Sequence, residues 1–273
     1  MNLIRAELFK IRTTALWWIF AILLVPLWAA SILLNWATAN LIGNGDPNAT
    51  GQQAEQIRVA GEAINVATNL YTSGQYVGIL LVLLLSAIIV TNEFFHLTAT
   101  TTFLVTPHRE RVILAKFAAA IVVGVVVWTT TTVLNLIFAP LILRHLGVGA
   151  QLGEPAVWRA IGLNALAFVL WAILGVGFGV LIRNQIAATL VLSVTYVIGT
   201  SVVGVVFTLL ARNVAEWIDK FQVIIPTTAS QLMISGTEIP GNPPRWVGAA
   251  VLIGYAAITG VVGTLLTERR DIS

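Results

Sequence analysis

Residues 186–210 read IAATLVLSVTYVIGTSVVGVVFTLL, an apolar run without one charged side chain. It is one of six such runs in the chain, which lie at about 16–36, 76–91, 117–143, 160–182, 186–210 and 246–267. A hydrocarbon core about 30 Å thick requires about 20 apolar residues in a helix. Backbone polar groups in lipid must be satisfied within the segment. We therefore predict an all-α integral membrane protein, a single transmembrane domain over 1–273 with six transmembrane helices.

Composition leads to the same class. Hydrophobic residues make up 58% of the chain and charged residues only 10%, whereas a soluble domain has about 25% charged residues. The chain has no cysteine, which excludes disulfides and cysteine-ligated metal sites. Its net charge of +3 is divided between loops rather than concentrated in a basic stripe, so we expect no nucleic-acid partner.

Loop charges predict the orientation. With the N-terminus inside, nine of the 15 Lys and Arg residues face the cytoplasm and six face outward. Cytoplasmic loops carry the excess of Lys and Arg in membrane proteins. Both termini are therefore predicted to be cytoplasmic.

The N-terminal segment 1–15 is patterned as an interfacial helix. Ile4, Leu8 and Ile11 recur at helical spacing, with basic residues around the remaining circumference. This pattern favours a helix lying on the cytoplasmic membrane surface. The alternative is a basic leader that only fixes the topology.

Two outer connections differ in character. Residues 37–74 begin with a Gly- and Asn-rich turn and become helix-compatible over 52–70, which we interpret as a solvated connector. Residues 211–245 carry an amphipathic stripe that includes Trp217 and Phe221 and then reach Pro226. Here we predict an outer re-entrant hairpin packed on the bundle. An amphipathic hairpin on the membrane surface is the alternative.

Two mid-span patterns have ordinary structural interpretations. Gly175 and Gly179 lie in GxxxG register, which permits close helix approach, and we expect packing within one protomer rather than a dimer seam. The threonines over 129–132 could line a polar path, but we expect their hydroxyls to bond carbonyls of their own helix.

The loop between the second and third spans has the most distinctive sequence. It reads TNEFFHLT over 91–98 and FLVTPHRER over 103–111, with Lys116 beyond. A glutamate at the membrane exit, a Thr-rich apolar segment, a proline-terminated turn and a basic cluster predict a compact cytoplasmic docking element over 93–113. The alternative is an ordinary loop that obeys the positive-inside rule.

These features together resemble the permease subunit of bacterial ABC-2 type transporters. The resemblance rests on the progression Glu93, Thr98, Leu104, Thr106-Pro107, Arg109 and Lys116, on the basic start LIRAELFKIRTT, on the six spans and on the hairpin around Pro226. It covers essentially the whole chain.

The resemblance implies a permease in the bacterial cytoplasmic membrane that pairs with a second copy or a paralogue. Two cytosolic ABC ATPase subunits would bind ATP and Mg²⁺, and this chain would bind no cofactor. The implied coupling residues are Glu93, Phe94, Phe95, Thr98, Leu104, Arg109 and Arg111. The implied cargo is hydrophobic or amphiphilic, either drug-like, lipid or peptide, moved out of the cell as in multidrug efflux.

Two alternative classes remain open from the residues alone. The chain lacks the GxxxxGK[ST] phosphate loop, so a permease would need a separate ATPase. No ionisable residue lies at midplane depth, which disfavours a self-contained secondary transporter. An intramembrane enzyme would have few candidate groups, chiefly Glu93 and His96 at the i, i+3 spacing of a metal pair.

Overall fold

The computed structural model describes residues 3–43, 57–96, 98, 109–238 and 242–269, and the regular elements within these ranges are helical. The helices are α1 (Leu3–Thr13), α2 (Leu16–Gly43), α3 (Ala63–Tyr71), α4 (Gln75–Phe95), α5 (Arg109–His145), α6 (Pro155–Leu181), α7 (Gln185–Val194), α8 (Thr200–Asn213), α9 (Pro226–Ile234) and α10 (Arg245–Arg269). A π-helical turn, Thr195–Gly199, joins α7 to α8, and a 3₁₀ helix, Glu216–Ile224, precedes α9.

Six helical segments are long and apolar enough to cross a membrane, which confirms the predicted number and type of spans. They are Leu16–Ile42, Ala63–Phe95, Glu110–His145, Pro155–Leu181, Gln185–Asn213 and Arg245–Leu265. At 1.5 Å rise per residue each exceeds the thickness of the hydrocarbon core. Together they indicate a multi-pass membrane protein.

Helices α4 and α6 form the centre of the bundle. A Cβ atom on Gly175 would lie 2.5 Å from the carbonyl oxygen of Leu83, and one on Gly179 would lie 2.7 Å from the carbonyl oxygen of Ala87. The two helices therefore touch backbone to backbone, which requires glycine at both positions. The prediction that these glycines pack within the protomer is confirmed.

Helix α2 and the fifth segment lie at the periphery. Most of the second and fourth segments is buried inside the protein, whereas most of the first and fifth is exposed. In a bilayer, exposed apolar side chains of this kind face lipid, which is as apolar as they are.

The outer connection is not the solvated linker that the sequence indicated. Ala67, Leu70 and Tyr71 on α3 are fully buried, and the Tyr71 hydroxyl donates to the carbonyl of Ala150 over 2.7 Å. A helix was predicted over 52–70. Residues 52–56 lie outside the described part of the chain, residues 57–60 are helical, and α3 follows from Ala63 after a turn, so the helical expectation is confirmed for most of the described part. Packing against the bundle overrides the polar composition of this region.

One buried asparagine holds the break between α3 and α4. Asn135 Nδ2 donates to the carbonyls of Tyr71 (3.0 Å) and Ser73 (2.9 Å), and Asn135 Oδ1 accepts from the Trp28 indole at 2.7 Å. At the break, Gly74 has φ +82°, a conformation that glycine adopts without strain. The second candidate span, Ala63–Phe95, includes residues 72–75, as predicted, with a turn at Thr72–Gly74. Helix α4 begins at Gln75 and extends to Phe95, beyond the predicted end of the run.

Three of the four threonines over 129–132 bond their own helix, as predicted, whereas the buried hydroxyl of Thr132 has no hydrogen-bond partner among the described residues. Thr129, Thr130 and Thr131 donate to the carbonyls of the residues four positions earlier, over 2.8 to 3.1 Å. These hydroxyls are therefore satisfied without a polar path.

Candidate functional site

Three helices meet at the base of the loop between the second and third spans. Helix α1 contributes Glu7 and Lys10, α4 contributes Glu93 two residues before its end, and α5 contributes Lys116 seven residues after its start. The loop that begins after α4 and ends at α5 is thereby closed at its base, and α1 lies against the closure.

The four side chains form a closed ring of ion pairs, which we call the ion ring (Glu7, Lys10, Glu93 and Lys116). The Lys10 ammonium lies 2.7 Å from Glu7 Oε1 and 2.6 Å from Glu93 Oε1. The Lys116 ammonium lies 2.9 Å from Glu7 Oε2 and 3.0 Å from the same Glu93 oxygen. Each carboxylate therefore bridges both ammonium groups, and the four charges sum to zero.

Three members of the ring are buried. Glu7 is 5% exposed, Glu93 6% and Lys116 1%. Lys116 also donates to the carbonyl of Ile89 at 3.3 Å. Buried charges are retained only when they are paired and hydrogen-bonded, and loss of one partner typically costs about 3–5 kcal/mol. Removal of any single member of the ring is therefore expected to destabilise the protein.

Lys10 closes the ring from its exposed side. Burial acts to lower the pKa of Lys10, but its hydrogen bonds and charge contacts with Glu7 and Glu93 outweigh burial and raise the pKa above its ordinary value of 10.5. The group is therefore fully protonated at neutral pH, with its charge held between two carboxylates.

The predicted coupling residues around Glu93 have different surroundings. Phe94 lies under the guanidinium of Arg183, 5.3 Å from its ring centroid. Phe95 is exposed and meets His96 edge-on. Thr98 is exposed, and its backbone N–H donates to the carbonyl of Glu93 over 2.9 Å. Only Glu93 of this group enters the ion ring.

The rest of the predicted coupling segment is described only in part. Leu104 and most of the predicted helix over 94–104 lie outside the described residues. Arg109 is the first residue of α5, and its side chain is likewise outside the described part. Arg111 is described and exposed, one turn from the helix start.

Helix α1 contacts the protein through only part of its predicted apolar face. Glu7 is its buried residue, and Ile11 packs on the main hydrophobic core. Leu8 is half-buried, whereas Ile4 and Phe9 are exposed. The contact face is therefore centred on Glu7, and part of the predicted apolar face points away from the protein.

The predicted outer hairpin over 211–245 also separates into two parts. Trp217 and Phe221 contact each other with ring centroids 5.6 Å apart, and both are exposed. Pro226 opens α9, whose Ala229 and Met233 are buried in the core. The predicted aromatic stripe thus points away from the bundle, while the helix after Pro226 packs on it.

Sequence reasoning missed Glu7, Lys10 and Lys116 as partners of Glu93. One signal was available, because Glu7 lies three residues after Ile4 and four before Ile11, on the same helical face. A carboxylate on an otherwise apolar face indicates a buried cationic partner. The pattern does not identify that partner, which is 109 residues away.

The site chemistry is ionic. Within the described ranges no group of three or more His, Asp or Glu side chains is arranged to hold a metal ion. Glu93 faces two ammonium groups, and His96 is exposed against Phe95, so these two residues do not converge as a metal pair.

The fold and site define a helical multi-pass membrane protein with a charged junction at one end of its bundle. No protein-family model matches the chain, and no curated protein matches it. Any narrower class has to be argued from the chain's own residues.

Proposed function

We propose that this chain is the membrane-spanning permease subunit of an ATP-driven ABC exporter in the bacterial cytoplasmic membrane. Both termini are cytoplasmic, two chains form the translocation unit, and two separate cytosolic ATPases carry ATP and Mg²⁺. The outer hairpin enters the outer leaflet. The cargo is hydrophobic or amphiphilic, in keeping with an interior of largely apolar helices.

The observation that carries the proposal is the ion ring. A subunit driven by an external ATPase has to pass a displacement from a cytoplasmic contact to its spans. The ring joins α1, α4 and α5 through contacts of 2.6–3.0 Å at the base of one loop. A push on that loop or on α1 is therefore delivered to three helices together.

Glu93 acts in this proposal as a positioning residue. Its carboxylate is 6% exposed and directed at lysines of this chain, so it holds the loop base rather than touching the ATPase. The direct contacts fall to exposed groups, namely Arg111 and Thr98 among the described residues. A guanidinium pairs well with a carboxylate on a partner surface.

The primary experiment is purification of the tagged chain in mild detergent from its own cells. We expect a P-loop ATPase to co-purify in stoichiometric amount and to be labelled by a photoreactive ATP analogue. Recovery of the chain alone, even after chemical crosslinking, would contradict the proposal and favour a self-contained carrier or a membrane enzyme.

A site-directed version locates the contact. The chain has no cysteine, so single cysteines at Arg111 and Thr98 can carry a crosslinker, with a cysteine at exposed Asn213 near the opposite end as the matched control. We expect crosslinks to the ATPase from the first two positions only. Equal crosslinking from Asn213 would refute the assigned face.

The orientation has its own test. A cysteine at exposed Asp219 should react with a membrane-impermeant maleimide in intact cells, and one at Thr98 should react only after permeabilisation. The reverse pattern would invert the topology.

A further inference from the structure

Two arginines converge on one carbonyl at the opposite end of the bundle from the ion ring. Arg159, on the first turn of α6, donates from Nη2 to the carbonyl of Gly236 over 2.9 Å. Arg245, the first residue of α10, donates from Nη1 to the same carbonyl over 3.3 Å. The two guanidinium groups are therefore neighbours, which places like charges side by side.

The local charge is not balanced by the described side chains. Glu238 lies 3.6 Å from Arg245 Nε, but its side chain is 58% exposed, where water screens the pair. Two arginines and one glutamate leave a formal charge of +1. Arg245 is also the first residue of α10, where the helix N-terminus adds positive potential.

Hydrogen-bond donors remain available at this arginine pair. A guanidinium has five N–H donors. Among the described residues, Arg159 uses one nitrogen, on the carbonyl of Gly236. Arg245 uses two nitrogens, one on the carbonyls of Ser235 and Gly236 and the other beside Glu238. Arg159 is exposed and Arg245 has 21% of its side chain exposed, so an anion can approach both.

Two tryptophans beside the arginines indicate how deep the pair lies in a membrane. Trp158 precedes Arg159 and is 52% exposed, and Trp246 follows Arg245 and is 69% exposed. Tryptophan collects at the level of the lipid headgroups, where one edge of the ring is wet and the rest is apolar. Tryptophans at this position favour a depth at which the guanidinium groups meet lipid phosphates.

We propose that Arg159 and Arg245 bind the phosphate of an anionic phospholipid in the leaflet beside the outer hairpin. The planar fork of each guanidinium matches phosphate oxygens, and the phosphate offsets the repulsion between the two arginines. Because both arginines also bind the carbonyl of Gly236, the lipid fixes the position of this residue just after α9. This inference does not depend on the transport function.

The test is native mass spectrometry of the purified, delipidated chain titrated with phosphatidylglycerol. We expect one molecule to bind the wild type with preference over phosphatidylcholine. Arg159→Gln and Arg245→Gln should each weaken binding at least about tenfold, the loss expected for a charge-assisted hydrogen bond. The matched control is Arg144→Gln, an exposed arginine at the same end of the bundle, which should bind as the wild type does.

Three outcomes would overturn the proposal. Unchanged binding in Arg159→Gln and Arg245→Gln would exclude the pair, and equal loss in Arg144→Gln would reduce the effect to general surface charge. Displacement of the lipid by millimolar inorganic phosphate would identify a site for a soluble anion instead. Should a glutamine variant not fold, Arg159→Lys keeps the charge without the fork and should bind several-fold more weakly; wild-type binding by this variant would contradict the bidentate geometry.

Discussion

Replacing Lys116 by methionine removes the most deeply buried member of the ion ring. Its ammonium lies within 3.0 Å of carboxylate oxygens on both Glu7 and Glu93. At an effective dielectric constant of about 20, one such contact amounts to about 5 kcal/mol of Coulomb energy, most of which the desolvation of the charges offsets. Lys10 remains beside both carboxylates in the variant, so we expect the lower end of the usual cost, about 3 kcal/mol.

The loss should appear as detachment of α1. About 3 kcal/mol corresponds to a roughly 150-fold larger population of the detached state. Hydrogen exchange of the α1 amides, measured by mass spectrometry in nanodiscs, should accelerate by that order in Lys116→Met. The control is Lys220→Met, which makes the same chemical change at an exposed lysine and should leave α1 exchange unaltered.

A second substitution distinguishes charge balance from packing. Glu7→Gln added to Lys116→Met leaves Lys10 paired with Glu93 at 2.6 Å and restores neutrality. We expect the double variant to recover about 1 kcal/mol or more relative to additivity. The reasoning fails if α1 exchange in Lys116→Met equals that of the wild type, or if the double variant shows no recovery.

Three further predictions concern packing, the buried amide and pH. Gly175→Ala should lower the free energy of unfolding by about 2 kcal/mol or more, because the new methyl would lie 2.5 Å from a backbone oxygen of α4. The control is Gly204→Ala, where the methyl meets open space. In thermal unfolding this control should be neutral or stabilising. Asn135→Leu should lower the free energy of unfolding in SDS by about 2 kcal/mol or more, since it leaves two buried carbonyls and an indole N–H without their hydrogen-bond partner. Asn213→Leu, at an exposed position, is the neutral control. Because folding raises the pKa of Lys10, its contribution to stability is complete below pH 10.5 and is lost as pH rises through the higher folded-state value. Protection of the α1 amides from exchange that already declines between pH 7 and 9.5 would contradict this direction.

The six spans were predictable because apolar length is a local property. A run such as 186–210 has to be helical in lipid whatever its neighbours are. The intrahelical bonds of the α5 threonines were predictable for the same reason, since the acceptor lies four residues away on the same helix.

The ion ring was not predictable in the same way. Its contacts join residues 83 and 109 positions apart in the chain, and a lone sequence carries no record of such pairs. Which side of the hairpin meets the bundle was not predictable either. An amphipathic stripe defines a face, but it does not determine whether that face packs on the bundle or stays exposed, as Trp217 and Phe221 do.

Under the proposed function, the same contacts determine which helices move. The ion ring fixes α4 to α5 and α1 at one end, and at the other end Asn135 of α5 binds the carbonyl of Ser73 in the turn that precedes α4. Along its length it touches α6 at Gly175 and Gly179 without room to slide. A displacement delivered to the loop base therefore moves α4, α5 and α6 as one body. The first and fifth spans are mostly exposed, yet each is also tied to this body. The Trp28 indole donates to Asn135 over 2.7 Å, and the Tyr196 hydroxyl donates to the carbonyl of Tyr76 over 2.7 Å. If the peripheral spans move to open a path for cargo, one of these two hydrogen bonds has to break.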